Sequence, residues 1–262
     1  MHGCVTSLLI ALALLDGGVG LSRAPVRATF ALHESCSFWM VTLRQGETVV
    51  FTRRLEAGVR YRLFVMGDSQ AHAVRCEVLD PLGRVIAVGD EGVRETLMRF
   101  TPDATGIYAL CLHLRVATSA ARCSALLLAE QGDWQTTVQH WSDALGRVQQ
   151  AITALAAQGI SVALVEEGLC MVGGLTSAGR MFTVGRLELD TGTYLWAASG
   201  DNRVQALTVR LQRDGKQATP TLSGKRLALH AVSGEGMYAP MVSLEAEGDE
   251  AFVIVALLKI QE

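Results

Sequence analysis

Glycines recur in the second half of this chain in the order, and nearly the spacing, that they have in the first. Leu55-Glu-Ala-Gly58 precedes Tyr61-Arg-Leu63 and Gly67-Asp68, and Leu189-Asp-Thr-Gly192 precedes Tyr194-Leu195 and Gly200-Asp201. Gly83-Arg84 then corresponds to Gly215-Lys216, and Gly106-Ile-Tyr108 to Gly236-Met-Tyr238. Successive glycines lie 9, 16 and 23 residues apart in the first series and 8, 15 and 21 in the second. A turn glycine marks a bend that a side chain opposes, so repeated spacing implies a repeated order of strands and turns. One fold is therefore expected twice.

Between the two series the hydrophobic period changes. Trp134, Val138, Trp141, Leu145, Val148, Ile152 and Leu155 recur in alternating steps of four and three, which puts them on one face of a helix. Asp133 is placed to cap its start and Gly159 to stop it. The rest of that helix is polar, so the seam needs one covering surface. The seam either packs on its own sandwiches or meets a partner helix, in a homodimer or from another protein. Trp134, Val138, Trp141 and Leu145 are the candidate contacts for the latter. Gly146 lowers helix propensity and is a candidate for close packing.

On both sides lie short runs of β-formers bounded by turns. In the first segment Phe38–Leu43, Thr48–Leu55, Tyr61–Met66, Val74–Val78, Val85–Val88, Leu97–Phe100, Tyr108–Leu114 and Cys123–Ala129 read as strands, and Asp80-Pro-Leu-Gly83 as a β-turn. Strands this short and close indicate an antiparallel sandwich. The expected fold is mainly β: two antiparallel, jelly-roll-like β-sandwich domains joined by one long amphipathic α-helix. The expected boundaries are a signal peptide at 1–20, a tether at 21–33, a first sandwich at 34–131, a connecting helix at 132–158, a linker and strand region at 159–180, and a second sandwich at 181–262.

The start of the chain bears on compartment. An apolar run, Val5 to Leu15, is broken by Asp16-Gly-Gly, and Gly18-Val-Gly20 supplies small residues for cleavage. Only His2 precedes the run where a Lys or Arg is usual, and the alternative is a buried N-terminal strand or helix. The run is too short to span a bilayer, and no later stretch is long enough. The expectation is export, to the periplasm or beyond. Removal of the leader leaves Cys36, Cys76, Cys111, Cys123 and Cys170, an odd number. Cys111 and Cys123 flank Val116-Ala117-Thr118 symmetrically, so a hairpin turning there would oppose them for a disulfide. The alternative is two reduced, partly buried thiols. No pairing follows for Cys36, Cys76 or Cys170.

At these motifs a family comes into view. Leu55-Glu-Ala-Gly58, Tyr61, Gly67-Asp68, Asp80-Pro-Leu-Gly83 and Phe100-Thr-Pro-Asp-Ala-Thr-Gly106-Ile-Tyr108 together resemble the bacterial prepeptidase C-terminal domain. The second series keeps Gly192, Tyr194, Gly200-Asp201, Gly215 and Gly236-Met-Tyr238 but lacks the Asp-Pro turn and the Phe-x-Pro. The resemblance implies a compact sandwich of secreted bacterial proteins, an accessory or binding module and not a catalyst. Many members carry an Asp-x-Asp pair after the Gly-Asp turn. Here His72-Ala-Val-Arg-Cys-Glu77 and Val204-Gln-Ala-Leu-Thr stand instead, which weakens any expectation of a calcium site.

The residues themselves offer little chemistry. No Gly-x-Ser-x-Gly, His-Glu-x-x-His, P-loop or Gly-x-Gly-x-x-Gly occurs. A net charge of −3 without a basic stripe argues against nucleic acid. His72 with Cys76 and Cys111 with His113 each share a strand face, but two such pairs need not meet at a zinc ion. No metal, cofactor or catalytic residue is assigned. Asp68 and Asp201 hold the same repeat position and are the candidate ligand-binding residues, against a plain turn-forming role. The function expected is a non-catalytic, exported binding or scaffolding module of the bacterial envelope, its partner a protein or envelope component. Two rivals stand. A carbohydrate- or calcium-binding module would need an exposed platform, with Trp39 and Trp196 the candidates, or an acidic loop cluster. A hydrolase would need a site visible only in three dimensions.

Overall fold

The structure is a computed structural model that describes residues 26–32, 36–129, 138–217, 221–248 and 250–261. The apolar run Val5 to Leu15, Asp133 and Trp134 lie outside the described residues. The chain is mainly β, and it divides into two compact units. The first contains described residues 26–32 and 40–129, the second 36–39 and 138–261.

In the first unit the strands are β1 (Val26–Ala31), β2 (Cys36–Leu43), β3 (Thr48–Leu55), β4 (Tyr61–Gly67), β5 (Ala71–Leu79), β6 (Val85–Val88), β7 (Glu95–Phe100), β8 (Gly106–Ala117) and β9 (Ala121–Ala129). One sheet has the order β1-β3-β8-β5-β6, and the other runs β2-β9-β4-β7. Strand β2 is divided, because its residues 36–39 group with the second unit. Inward-facing Leu63, Val65, Val78, Leu110, Leu112 and Leu127 are all buried and form the core. Residues 26–31 are strand and not tether. Phe30 stacks on Phe51 with centroids 5.6 Å apart, Arg27 pairs with Glu47 at 2.8 Å, and β1 joins β3 in parallel.

The second unit contains one helix among the described residues, α1 (Val138–Ala157), of 20 residues. Its strands are β10 (Val162–Leu164), β11 (Gly168–Ser177), β12 (Met181–Thr183), β13 (Leu187–Leu189), β14 (Thr193–Gly200), β15 (Val204–Arg213), β16 (Lys216–Gln217), β17 (Leu222–Gly224), β18 (Leu227–Ser233), β19 (Gly236–Ala246) and β20 (Glu250–Ile260). One sheet runs β18-β14-β20-β11, and the other β12-β19-β15-β16, with β13 beside β19 and β17 beside β15. Within each unit the order is therefore the same: β7-β4-β9-β2 matches β18-β14-β20-β11, and β3-β8-β5-β6 matches β12-β19-β15-β16.

The connecting helix is corrected: it is not a rod between two domains but belongs to the second unit and packs against β14, β20 and β10. Within the linker and strand region 159–180, the strand part is β10 and the ten-residue β11, which pairs with β20 from Met171↔Ala256 to Ser177↔Glu250. The helix stops where expected: Gly159 takes φ +78°, and the Ile160 N–H closes the last turn on the Leu155 carbonyl at 3.0 Å.

Candidate functional site

The two Gly-Asp turns are built alike. The Gly67 and Gly200 N–H groups donate to the carbonyls of Arg94 and Arg226 at 2.9 and 3.0 Å. Asp68 and Asp201 donate their N–H groups to the carbonyls of Arg122 and Phe252, each at 2.9 Å. The Asp68 carboxylate accepts from the N–H groups of Gln70 and Arg122, both at 3.0 Å. The Asp201 carboxylate accepts from those of Arg203 and Phe252, at 2.9 and 3.0 Å, and also from the Arg203 guanidinium. Each carboxylate thus ties its turn to the neighbouring strand, using oxygens that a ligand would need. The preceding glycine is required because a Cβ would stand 2.3 Å from the Ala71 Cβ, or 2.4 Å from the Val204 Cγ2.

Two more pairs from the repeat behave differently from each other. Tyr108 and Tyr238 are both buried, and each hydroxyl donates to the carbonyl four residues earlier, Ala104 at 2.7 Å and Gly234 at 3.3 Å. Gly58 and Gly192 do not correspond. Gly58 takes φ +75°, while Gly192 is not among the glycines with positive φ. The second loop is one residue shorter, so alignment on the Gly-Asp turns puts Thr191, not Gly192, opposite Gly58.

The candidate Cys111–Cys123 bridge does not form, and both are buried, reduced thiols, the alternative left open by the sequence. Strands β8 and β9 are not a hairpin. The chain passes there from one sheet to the other, so Cys111 pairs with Val50 and Glu77 and Cys123 with Gly67. Cys111 lies in an apolar cluster with Val50, Leu79 and Ala109, and burial, then the Glu77 carboxylate, pushes its thiol up to about 12. Burial raises Cys76 as well, so neither is a ready nucleophile. Cys76 pairs with Leu112 while Cys111 and His113 pair with Glu77 and Arg75, so Cys76 is on the opposite face from the other two. The His72–Cys76 and Cys111–His113 pairs do not converge. Among the described residues no group of three or more His, Cys, Asp or Glu could hold a metal ion. Burial lowers the pKa of His113 and of His230, the latter inside the second core. Trp39 and Trp196 are fully buried and present no platform.

The buried face of the helix overlaps only in part with the face expected to meet a partner. Ala144, Val148 and Ala151 are buried, and Trp141 and Leu145 are half-buried. The Trp141 ring packs edge-on against Phe38 at 5.8 Å between centroids. In the two strands on which the helix packs, Ala197 pairs with Ala256, two small side chains that suit the close approach of a helix. Arg147 fastens it by donating to the carbonyls of Asp143 and Gly200, at 2.9 and 2.8 Å, and to the Asn202 side chain, which donates back to Asp143. Val138 opens the helix. No helix among the described residues is long and apolar enough to cross a membrane.

The corresponding face of the first unit was not singled out from sequence. There Phe64 pairs directly with Leu97 of β7 and Leu126 of β9. Beside that row Arg62 pairs with Arg99, and Arg60, Tyr61, Arg62, Arg99, Phe100 and Thr101 line a cavity of about 380 Å³. The signal was available: Arg62 and Arg99 mark the outward phase of their strands, and Phe64 and Leu97 share it.

No family model matches the chain, and no curated protein matches it in sequence. Among solved structures it is similar to the pre-peptidase C-terminal domain of a collagenase from Bacillus anthracis, at 13% identity and a TM-score of 0.32, over 41% of this chain and 100% of that one. It is also similar to PliG of Aeromonas hydrophila, a periplasmic lysozyme inhibitor of g-type lysozyme, at 11% identity and a TM-score of 0.30, over 40% of this chain and 100% of that one. An anti-sigma factor domain-containing protein from Clostridium clariflavum matches at 10% identity and a TM-score of 0.24, over 87% of each chain. Likenesses this distant carry no argument about what this chain does.

Proposed function

We propose that this chain is a non-catalytic, exported protein of the bacterial envelope or periplasm, in which two divergent copies of a prepeptidase C-terminal-like sandwich bind or scaffold another macromolecule. One observation carries the reading: four of the side chains best suited to chemistry are committed to the fold. Asp68 and Asp201 hold their own turns, and Cys76 and Cys111 are buried with raised pKa values. The shared strand order of the two units supports the duplication. The turn motifs of the first series support the family. Export rests on the Val5 to Leu15 run with its Gly18-Val-Gly20 site. Val148 of the α1 seam is buried on its own unit, while Trp141 and Leu145 stay half-buried, so the seam offers a partner only part of its length.

The test is expression of the full chain in a bacterium, followed by fractionation, mass measurement and assay against a broad hydrolase panel. The reading expects protein outside the cytoplasm, shortened at Gly20, with no turnover. Turnover that survives purification, or an unprocessed cytoplasmic product, overturns it.

A further inference from the structure

Strand β18 ends its sheet, and β14 is its one neighbour there. Its counterpart in the first unit, β7, carries Glu95 and Arg99. Charges on an edge strand discourage another strand from pairing with it, as do Pro and bulges. From Leu227 to Ser233, β18 has no Lys, Arg, Asp, Glu or Pro, and its register with β14 is unbroken.

The ladder fixes which backbone groups face the open side. The Gly200 N–H donates to the Arg226 carbonyl and the Gly234 N–H to the Gly192 carbonyl, at 3.0 and 2.9 Å. These bonds flank Ser199↔Leu227 and Thr193↔Ser233, so those two pairs do not bond each other. By alternation Leu227, Leu229, Ala231 and Ser233 turn their N–H and C=O groups away from β14. Gly224 stands against the Leu227 carbonyl, since a Cβ there would lie 2.0 Å from the oxygen. The open stretch is therefore Leu229 to Ser233, with Ala231 and Ser233 exposed and Leu229 half-buried.

We infer that β18 pairs antiparallel with β18 of a second copy of this chain, about a two-fold axis at Ala231. Leu229 of each copy then meets Ser233 of the other, and each outward group of the open stretch finds its complement. The antiparallel direction also brings the Lys225 bend of each copy to the Glu235 bend of the other. Both side chains are exposed, and neither has an ion-pair partner among the described residues. The Glu235 carboxylate accepts from the Thr191 hydroxyl at 3.3 Å, a neutral group. Nearby charges are already engaged. The Arg226 Nε donates to the Val204 carbonyl at 2.9 Å, and Arg213 lies 3.8 Å from the Asp214 carboxylate. Opposite charges at the two ends of one strand favour its own antiparallel copy over an unrelated extended chain. The symmetric contact uses both β18 edges and stops at two copies. Such a dimer requires neither export nor a third protein.

Sedimentation velocity on the full chain, over a range of concentrations at low salt, should show a monomer–dimer equilibrium. Ala231→Lys puts two ammonium groups beside the axis and should leave only monomer. Lys225→Glu should raise the dissociation constant about tenfold or more, and adding Glu235→Lys should recover most of that loss. Glu95→Lys, on the β7 edge, should change nothing. Lys225 and Glu235 are exposed, so the charge exchange keeps the test open if Ala231→Lys fails to fold. A monomer at every concentration, a dimer untouched by Ala231→Lys, a Lys225→Glu loss that Glu235→Lys does not recover, a dimer lost in Glu95→Lys, or open-ended assemblies would overturn the inference. So would a monomer whose β18 edge pairs instead with an extended peptide of another sequence.

Discussion

Strands β4 and β14 hold the same place in their units and are buried differently. In β4 the side chains alternate, with Tyr61, Leu63 and Val65 buried and Arg62 and Phe64 exposed. In β14 everything from Tyr194 to Gly200 is buried. The inner faces match, since both pack on a second sheet. The outer faces differ in size and charge: Arg62, Phe64 and Met66 against Leu195, Ala197 and Ser199. Uncharged outward residues, two of the three small, let α1 lie down, while an arginine and a phenylalanine keep the face open. Alternation means one wet face, and a continuous buried run means two covered ones. One strand order thus serves two surfaces, and six outward positions decide which.

The most damaging change should be a charge beneath the helix. Val148→Asp places a carboxylate in the covered seam and should cost about 4 kcal/mol. Phe64→Asp, on the open face, should cost less than about 1 kcal/mol. Urea denaturation followed by tryptophan fluorescence compares the two, and equal losses would break the contrast. The turns come next. Asp201→Ala leaves the buried Phe252 N–H unpaired and should cost about 3 kcal/mol, whereas Asp68→Ala, on a more exposed turn, should cost about 1 kcal/mol. Calorimetry on both variants ranks them, and the reverse order would contradict burial as the cause of the difference.

A pH dependence sharpens the account of the first unit. Burial alone would raise the Asp80 carboxyl, but the N–H groups of Arg84 and Leu82 and the Arg84 guanidinium outweigh it and hold it below its ordinary value. A lowered carboxyl gives stability that is complete above the ordinary value and is lost as pH falls through the lowered one. The gap in unfolding free energy between the native chain and Asp80→Asn should therefore shrink as pH drops from about 6 to about 3. A constant gap would deny the ion pair its role. The smallest effect belongs to Gly146. A Cβ there would meet nothing within 4 Å, so the expected close packing is absent, and Gly146→Ala should stabilise the chain by about 0.5–1 kcal/mol. A lowered melting temperature would contradict that.

Much of the strand order was legible because turn chemistry is local. Gly67-Asp68, Asp80-Pro-Leu-Gly83 and Gly106-Ile-Tyr108 each announce a bend whatever lies across the sandwich. Sheet membership is not local. Nothing between Ala117 and Ala121 says that β8 and β9 part into different sheets, so a hairpin and its Cys111–Cys123 bridge looked sound. The helix was legible from its period, but its seat was not, because Ala197 and Ala256 read as ordinary β residues until their pairing places them side by side. The Phe64 row was hidden for the same reason. Its three members are 29 or more residues apart and meet only through the register.

The contrast between the faces can be measured by thiol labelling under native conditions. The described cysteines are buried, so they give a low background. Phe64→Cys and Ala197→Cys introduce thiols at matching positions of β4 and β14. The account predicts rapid labelling at position 64 and protection at 197 until the chain is unfolded. Equal labelling at both positions would mean that α1 does not close the second face and that the two surfaces are not different.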